Sequence, residues 1–218
     1  MIGFYNYTVI LTYVSMISSF TGIILSINNH FLPAIFCLIA SGLCDMFDGM
    51  VARSCKTRSE SAKAFGIQID SLCDLICFGM FPAAFCYSIT KAYATNEALT
   101  YVAAAVGALL VLCAIIRLGY FNVVEFERQQ ATTEVRKSYQ GLPVTTVAIF
   151  LPILFALRNY IGMDIFYMFV IVLLFICAVC FVINIKIMKL HKKGLIVMSI
   201  IAVAMIVVLT LQALDIIK

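Results

Sequence analysis

Four aspartates set the chemistry this sequence can do. Asp45 and Asp48 stand three residues apart, and Asp70 and Asp74 four apart, each pair at the rim of a long apolar run. On helices, either spacing places both side chains on one face, with Cβ atoms roughly 5–6 Å apart. An ionisable residue inside or at the edge of a membrane helix is expensive, so four within one stretch need a reason. Two facing pairs of carboxylates make a hard, oxygen-rich pocket of the kind that Mg²⁺ or Mn²⁺ prefers. Left without a cation, the four would repel one another.

The residues around them suit a phosphate ligand. Gly49 follows Asp48 directly and has no side chain to hold a phosphate away. Arg53 stands four residues beyond Gly49, where its planar fork can grip a diphosphate, and Ala52 keeps the neighbouring position small. Gly66 precedes Asp70 by four residues, one helical turn below it. A metal pocket, a phosphate-gripping arginine and a spare carboxylate together describe phosphoryl transfer.

The elements that must position these residues are membrane helices. Of 218 residues, 64% are hydrophobic and 12% charged, against about one quarter charged in a soluble domain. Seven apolar segments have the length of about 20 residues that one crossing needs: 8–29, 31–53, 66–90, 98–123, 143–159, 164–187 and 194–216. The fifth is short and interrupted by Pro152. The expected fold is all-α, a polytopic integral membrane helix bundle of about seven transmembrane helices, with residues 1–218 forming one domain. The nine cysteines are scattered through apolar runs, apart from Cys55 in a connector. Cys177 and Cys180 sit mid-span and read as small packing residues, so no disulfide framework is expected.

Lys and Arg are distributed unequally between the two ends of these segments. Twelve (Arg53, Lys56, Arg58, Lys63, Arg117, Arg128, Arg136, Lys137, Lys186, Lys189, Lys192, Lys193) fall in connectors on one side, and only Lys91, Arg158 and Lys218 on the other. This asymmetry places the N-terminus and the aspartates at the cytoplasmic face of the cell membrane. Most of these cations serve as topology markers at anionic headgroups. Thr8, Thr12 and Ser15 stand at the same end of the first segment and could hold a nucleoside, but hydroxyls that bond or pack within the bundle are commoner there.

The order Asp45-x-x-Asp48-Gly49-x-x-Ala52-Arg53, then Gly66-x-x-x-Asp70-x-x-x-Asp74, resembles the signature of the CDP-alcohol phosphatidyltransferases. One departure is visible: twelve residues, Ser54 to Phe65, separate the arginine from the second glycine, where the family pattern is shorter. They fall in a polar connector and lengthen a loop. Asp70–Gly79 with Phe81-Pro82-Ala83, Arg117–Val123, and Tyr139–Pro143 resemble further blocks of the phosphatidylserine synthases within that family. With the signature, these blocks cover 45–145.

The resemblance implies an enzyme of phospholipid biosynthesis, transferring a phosphatidyl group from CDP-diacylglycerol to a small alcohol, L-serine favoured, with release of CMP. It implies Asp45, Asp48, Asp70 and Asp74 as ligands of a divalent metal, two ions in all, with Asp74 also taking the proton from the acceptor hydroxyl. Gly49, Arg53 and Gly66 would contact the nucleotide and diphosphate, and one of Thr57, Ser59 or Ser61 would add a hydroxyl, with Ser59 preferred. Arg117 and Asn122 would meet the acceptor. A homodimer in the bilayer is implied as well, and no nucleic-acid partner is expected. Glycerol 3-phosphate or an inositol phosphate would be the rival acceptors, although no further basic cluster stands near Asp74 to receive a second phosphate. A cation or proton transporter is the rival of another class, but it would favour midplane carboxylates and repeated halves, and this sequence has neither.

Overall fold

A computed structural model describes residues 3, 7–54, 59–131, 138–184, 186–188, 192–214 and 216, with backbone alone at 52–54, 128–131, 138–140, 186–188 and 192–196. Thr57 and the connector cations Lys56, Arg58, Arg136, Lys137 and Lys189 lie outside the described residues, as does Lys218. A short 3₁₀ turn (Tyr7–Val9) leads into α1 (Ile10–Ile27), followed by α2 (Phe31–Ser54) and α3 (Glu60–Asp74). A π-helical turn (Leu75–Met80) joins α3 to α4 (Phe81–Tyr93), and α5 (Glu97–Ala131) follows. Then come β1 (Ser138–Gln140), α6 (Val147–Ala156), α7 (Arg158–Ile161), α8 (Met163–Val182), β2 (Lys186–Met188) and α9 (Lys192–Ala213).

The protein is a polytopic membrane helix bundle. Among the described residues, five helical runs are long and apolar enough to cross a membrane: Tyr7–Ile27, Phe31–Val51, Glu60–Tyr93, Glu97–Glu127 and Met163–Val182. Val144–Ala156 and Val197–Ala213 are shorter apolar helices, at the positions of the fifth and seventh expected segments. The third run begins at Glu60, before the apolar segment itself, because Ser59 caps it. Ser59 is extended (φ −65°, ψ 157°) and its side chain accepts from the Ala62 amide at 3.2 Å, which satisfies one of the helix's open donors. The Lys63–Glu60 pair in that first turn, 2.7 Å apart, is exposed and adds little.

The long third run does not stay α-helical. Pro82 has no amide to offer the carbonyl one turn back, and its ring crowds that carbonyl. The backbone widens just ahead of it into the π turn, where the Phe81 amide reaches the Ile76 carbonyl, five residues back. Phe78 and Phe81 are fully buried there.

The first helix is built inside out relative to a soluble one. Thr12, Ser15, Ser19, Gly22 and Ser26 form its buried stripe, while Ile10, Val14, Ile17, Ile24 and Ile27 point outward. Small inward residues let backbones approach in a membrane bundle. At Gly22 the approach is closest, since a Cβ there would lie 2.2 Å from Cζ of Phe81. The Phe81 ring is fully buried, so it could make room only by shifting within a packed core. Gly22→Ala should therefore destabilise the bundle by about 1–3 kcal/mol. Thermal denaturation in detergent checks this, with Phe81→Leu in the same chain expected to recover part of the loss.

At the other end of the bundle, Phe31, Phe85, Phe155 and Phe166 stack edge to face with centroids 5.6 to 5.9 Å apart. Nearby, Arg158 donates through Nη1 to Gln212 Oε1 (2.9 Å), and Gln212 Nε2 donates to the Ala156 carbonyl (2.8 Å), tying α9 to α6 and α7. Arg158 also lies over the Phe155 ring at 4.4 Å.

A two-stranded antiparallel ladder was not foreseen. Tyr139 pairs with Ile187 and Ser138 with Met188, so the connectors after α5 and α8 meet at one end of the bundle. Gly141 follows with φ +75°, and a Cβ on it would come within 2.8 Å of the Phe181 carbonyl oxygen. The Leu142 amide donates to the Cys180 carbonyl at 3.1 Å. The Gly141-Leu142-Pro143 turn is thereby docked on the end of α8, which gives it a structural role.

Candidate active site

The side chains of the aspartates on α2 and α3 converge on one space. Asp45 and Asp48 lie one turn apart on α2, and Asp70 and Asp74 one turn apart on α3, the latter just before the π turn. Oxygens of Asp45, Asp70 and Asp74, one from each, lie within 4.8 Å of one another. Asp45 faces Asp74 across the helix pair and Asp48 faces Asp70, near enough for each pair to interact directly. The three-residue group is all carboxylate and half-buried, the donor set of a hard divalent cation. It fits a metal on that chemistry, with each carboxylate supplying an oxygen and the cation offsetting their mutual repulsion.

Asp48 stands slightly apart from this group. It is 7% exposed, and its Oδ2 accepts a hydrogen bond from Thr12 Oγ1 at 3.0 Å. Gly49 and Gly66 are half-buried on α2 and α3 beside the carboxylates. Arg53 lies in the last turn of α2, where only the backbone is described. Ser59 opens α3, its hydroxyl engaged by the Ala62 amide.

The fourth long helix supplies a wall. Ser71 Oγ donates to Asn122 Oδ1 at 3.0 Å, which fixes α5 against α3 directly beside Asp70. Asn122 shares the α5 face of Ala114 and Leu118, both buried. A Cβ on Gly79, in the π turn, would lie 3.5 Å from Cβ of Ala114, so the same face also packs on that turn. Arg117 is half-buried on an adjacent face and engaged by neighbouring groups.

Thr12, named from sequence as a hydroxyl that could hold a nucleoside or bond within the bundle, has a partner that sequence reasoning did not give, Asp48. Serine and threonine are ordinary in membrane helices, and nothing in the composition of α1 separates Thr12 from its neighbours. The spacing of the stripe Thr12, Ser15, Ser19, which puts all three on one face, was the one available signal.

An acidic group shared by two membrane helices, in this order of residues, defines a class. A profile of the CDP-alcohol phosphatidyltransferase family matches residues 5–182, and the chain belongs to that family. The match is wider than 45–145, taking in α1 and α8. Among individual proteins, the chain is 36% identical over 132 residues to the archaetidylserine synthase of Methanothermobacter thermautotrophicus, covering 61% of this chain and 50% of that one. It is 30% identical over 164 residues to the CDP-diacylglycerol–serine O-phosphatidyltransferase of Saccharomyces cerevisiae, covering 70% and 55%. With the enzyme of that name from Helicobacter pylori it shares 31% identity over 132 residues, covering 61% and 49%. The chain thus spans about half the length of the curated relatives it matches.

Proposed function

We propose that the chain transfers the phosphatidyl group of CDP-diacylglycerol to the hydroxyl of L-serine, giving phosphatidylserine and CMP. The observation that carries the transfer is the carboxylate group of Asp45, Asp70 and Asp74 built across α2 and α3 in a chain of this family. The choice of serine is supported by the relatives, whose names all specify a serine lipid.

In this reading Asp45, Asp48, Asp70 and Asp74 hold two divalent cations, Mg²⁺ or Mn²⁺. When bound, these supply positive charge to the diphosphate and the departing CMP. Arg53 grips the diphosphate, while Gly49 and Gly66 let the nucleotide approach the two helices and Ser59 borders its phosphates. Asp74 accepts the proton from the serine hydroxyl as its oxygen attacks the phosphatidyl phosphorus. The phosphorus–oxygen bond to CMP then breaks, and CMP leaves with the bonding electrons. Asn122, held by Ser71, borders the acceptor space, and Arg117 binds the serine carboxylate. The twelve-to-three distribution of Lys and Arg supports a site at the cytoplasmic face of the cell membrane. Family membership supports a homodimer, which crosslinking in native membranes tests.

Chelation is the first check. Protein stripped by excess EDTA should release no CMP, and Mg²⁺ or Mn²⁺ should restore it; full activity in EDTA contradicts metal dependence. The second concerns Arg117. Losing a charge-assisted hydrogen bond to serine costs about 1.5–3 kcal/mol, so Arg117→Ala should raise the serine KM by roughly 10-fold or more. The KM for CDP-diacylglycerol should hold. Unchanged serine kinetics would return Arg117 to the role of headgroup anchor.

A further inference from the structure

We propose that Thr12 is a positioning residue for Asp48: its hydroxyl holds one carboxylate oxygen so that the other is presented to the cation between α2 and α3. This deepens the transferase reading and rests on it.

The geometry comes from a third helix. Asp48 is not within the 4.8 Å group formed by Asp45, Asp70 and Asp74, so its orientation decides whether it joins them as a fourth oxygen donor. Thr12 Oγ1 donates to Asp48 Oδ2 at 3.0 Å. Thr12 is 6% and Asp48 7% exposed, so little water competes for that bond. An ionised carboxylate accepts through both oxygens. The bond from α1 to Oδ2 sets the rotation of the Asp48 carboxylate beside Asp70, and with it the direction in which the other oxygen points.

The hydroxyl is itself held in place. One turn along α1, Ser15 Oγ lies 2.7 Å from Ser41 Oγ and donates to the Ser41 carbonyl at 3.1 Å. A further turn along, Ser19 Oγ donates to Ser41 Oγ at 2.8 Å. Ser41 is fully buried on α2, two turns before Asp48. Ser15 Oγ also lies 3.5 Å from Cys77 Sγ in the π turn that follows Asp74. Thus α1 is fastened to both aspartate-bearing helices, and Thr12 acts from a fixed support. Outer hydrogen-bond partners of this kind orient metal ligands.

A threonine that only packs between α1 and α2 predicts a different outcome, because valine has nearly its shape. The test is Mn²⁺ titration followed by electron paramagnetic resonance, without substrate, on purified wild type, Thr12→Val, Thr12→Ser and Ser19→Ala. Melting is followed by circular dichroism in EDTA. Thr12→Val should weaken Mn²⁺ binding about 10- to 100-fold, while Thr12→Ser, which keeps the hydroxyl, should retain near wild-type affinity. Ser19→Ala removes one bond of that support but leaves the Ser15–Ser41 contacts and the Thr12–Asp48 bond, and should bind Mn²⁺ nearly as wild type does. Should Thr12→Val not fold, Thr12→Ala gives the same comparison. Wild-type affinity in the hydroxyl-free variant overturns the proposal, as does an equal loss in Thr12→Ser or Ser19→Ala. CMP release separates the two levels. A wild type that neither binds Mn²⁺ nor releases CMP overturns the transferase reading, whereas an active wild type with a metal-indifferent Thr12→Val overturns only the role of Thr12.

Discussion

Replacing Asp70 by alanine is expected to slow CMP release roughly 1,000-fold or more and to remove Mn²⁺ binding in the same protein. Asp70 belongs to the tight carboxylate group with Asp45 and Asp74 and also faces Asp48, so no neighbouring side chain can take its place. Several kcal/mol of charge stabilisation would be lost with the metal, and each 1.36 kcal/mol is a factor of ten in rate. Asp45→Ala should behave alike. Stability should move the other way. In EDTA the Asp70→Ala protein should melt no lower than wild type, because one of several mutually repelling carboxylates is gone. Mn²⁺ at about 100 times its dissociation constant should then stabilise wild type by about 2.7 kcal/mol and the variant not at all. A variant that keeps both Mn²⁺ binding and turnover would take Asp70 out of the metal site.

The second large effect separates binding from proton transfer. Asp74→Asn keeps the size of the side chain and removes its basicity, so turnover should fall about 10²- to 10⁴-fold. CDP-diacylglycerol binding should persist, because Gly49, Arg53 and the other carboxylates remain. Asp74 is also within the metal group, so the informative comparison is between its loss in kcat and its loss in Mn²⁺ affinity. A small loss of affinity with a large loss of kcat marks the base. If most of the turnover survives, Asp74 does not take the proton.

The parts of this account that could be read from sequence are those in which spacing dictates geometry. Aspartates three and four residues apart on helices must share a face, and apolar runs of crossing length must span, so the helix bundle and the convergence of the α2 and α3 aspartates were both legible. What escaped depends on contacts between distant parts of the chain. Thr12 looks like any membrane threonine until α1 is packed on α2, 36 residues away in sequence from its partner Asp48. The π turn after Asp74 had only Pro82 as a warning. Gln212 is a lone polar side chain in an apolar helix, and its meaning comes from Arg158, 54 residues earlier. The β1–β2 ladder joins two stretches of three residues each, too short to carry strand periodicity, so only the assembled bundle brings them together. Ser59 shows the converse case. The sequence offers it as a hydroxyl for the phosphates, and the structure adds that it caps α3.

The central claim is a reaction, and one assay addresses it. Purified protein in detergent with CDP-diacylglycerol and Mn²⁺ or Mg²⁺ is given L-serine or glycerol 3-phosphate, with CDP-archaeol as an alternative lipid donor. CMP and the lipid product are then quantified together. L-serine should yield CMP and a serine phospholipid in equal amounts, and glycerol 3-phosphate should yield neither. CMP release with glycerol 3-phosphate in preference to serine would contradict the acceptor, and no CMP with either alcohol and either donor lipid would contradict the transfer itself.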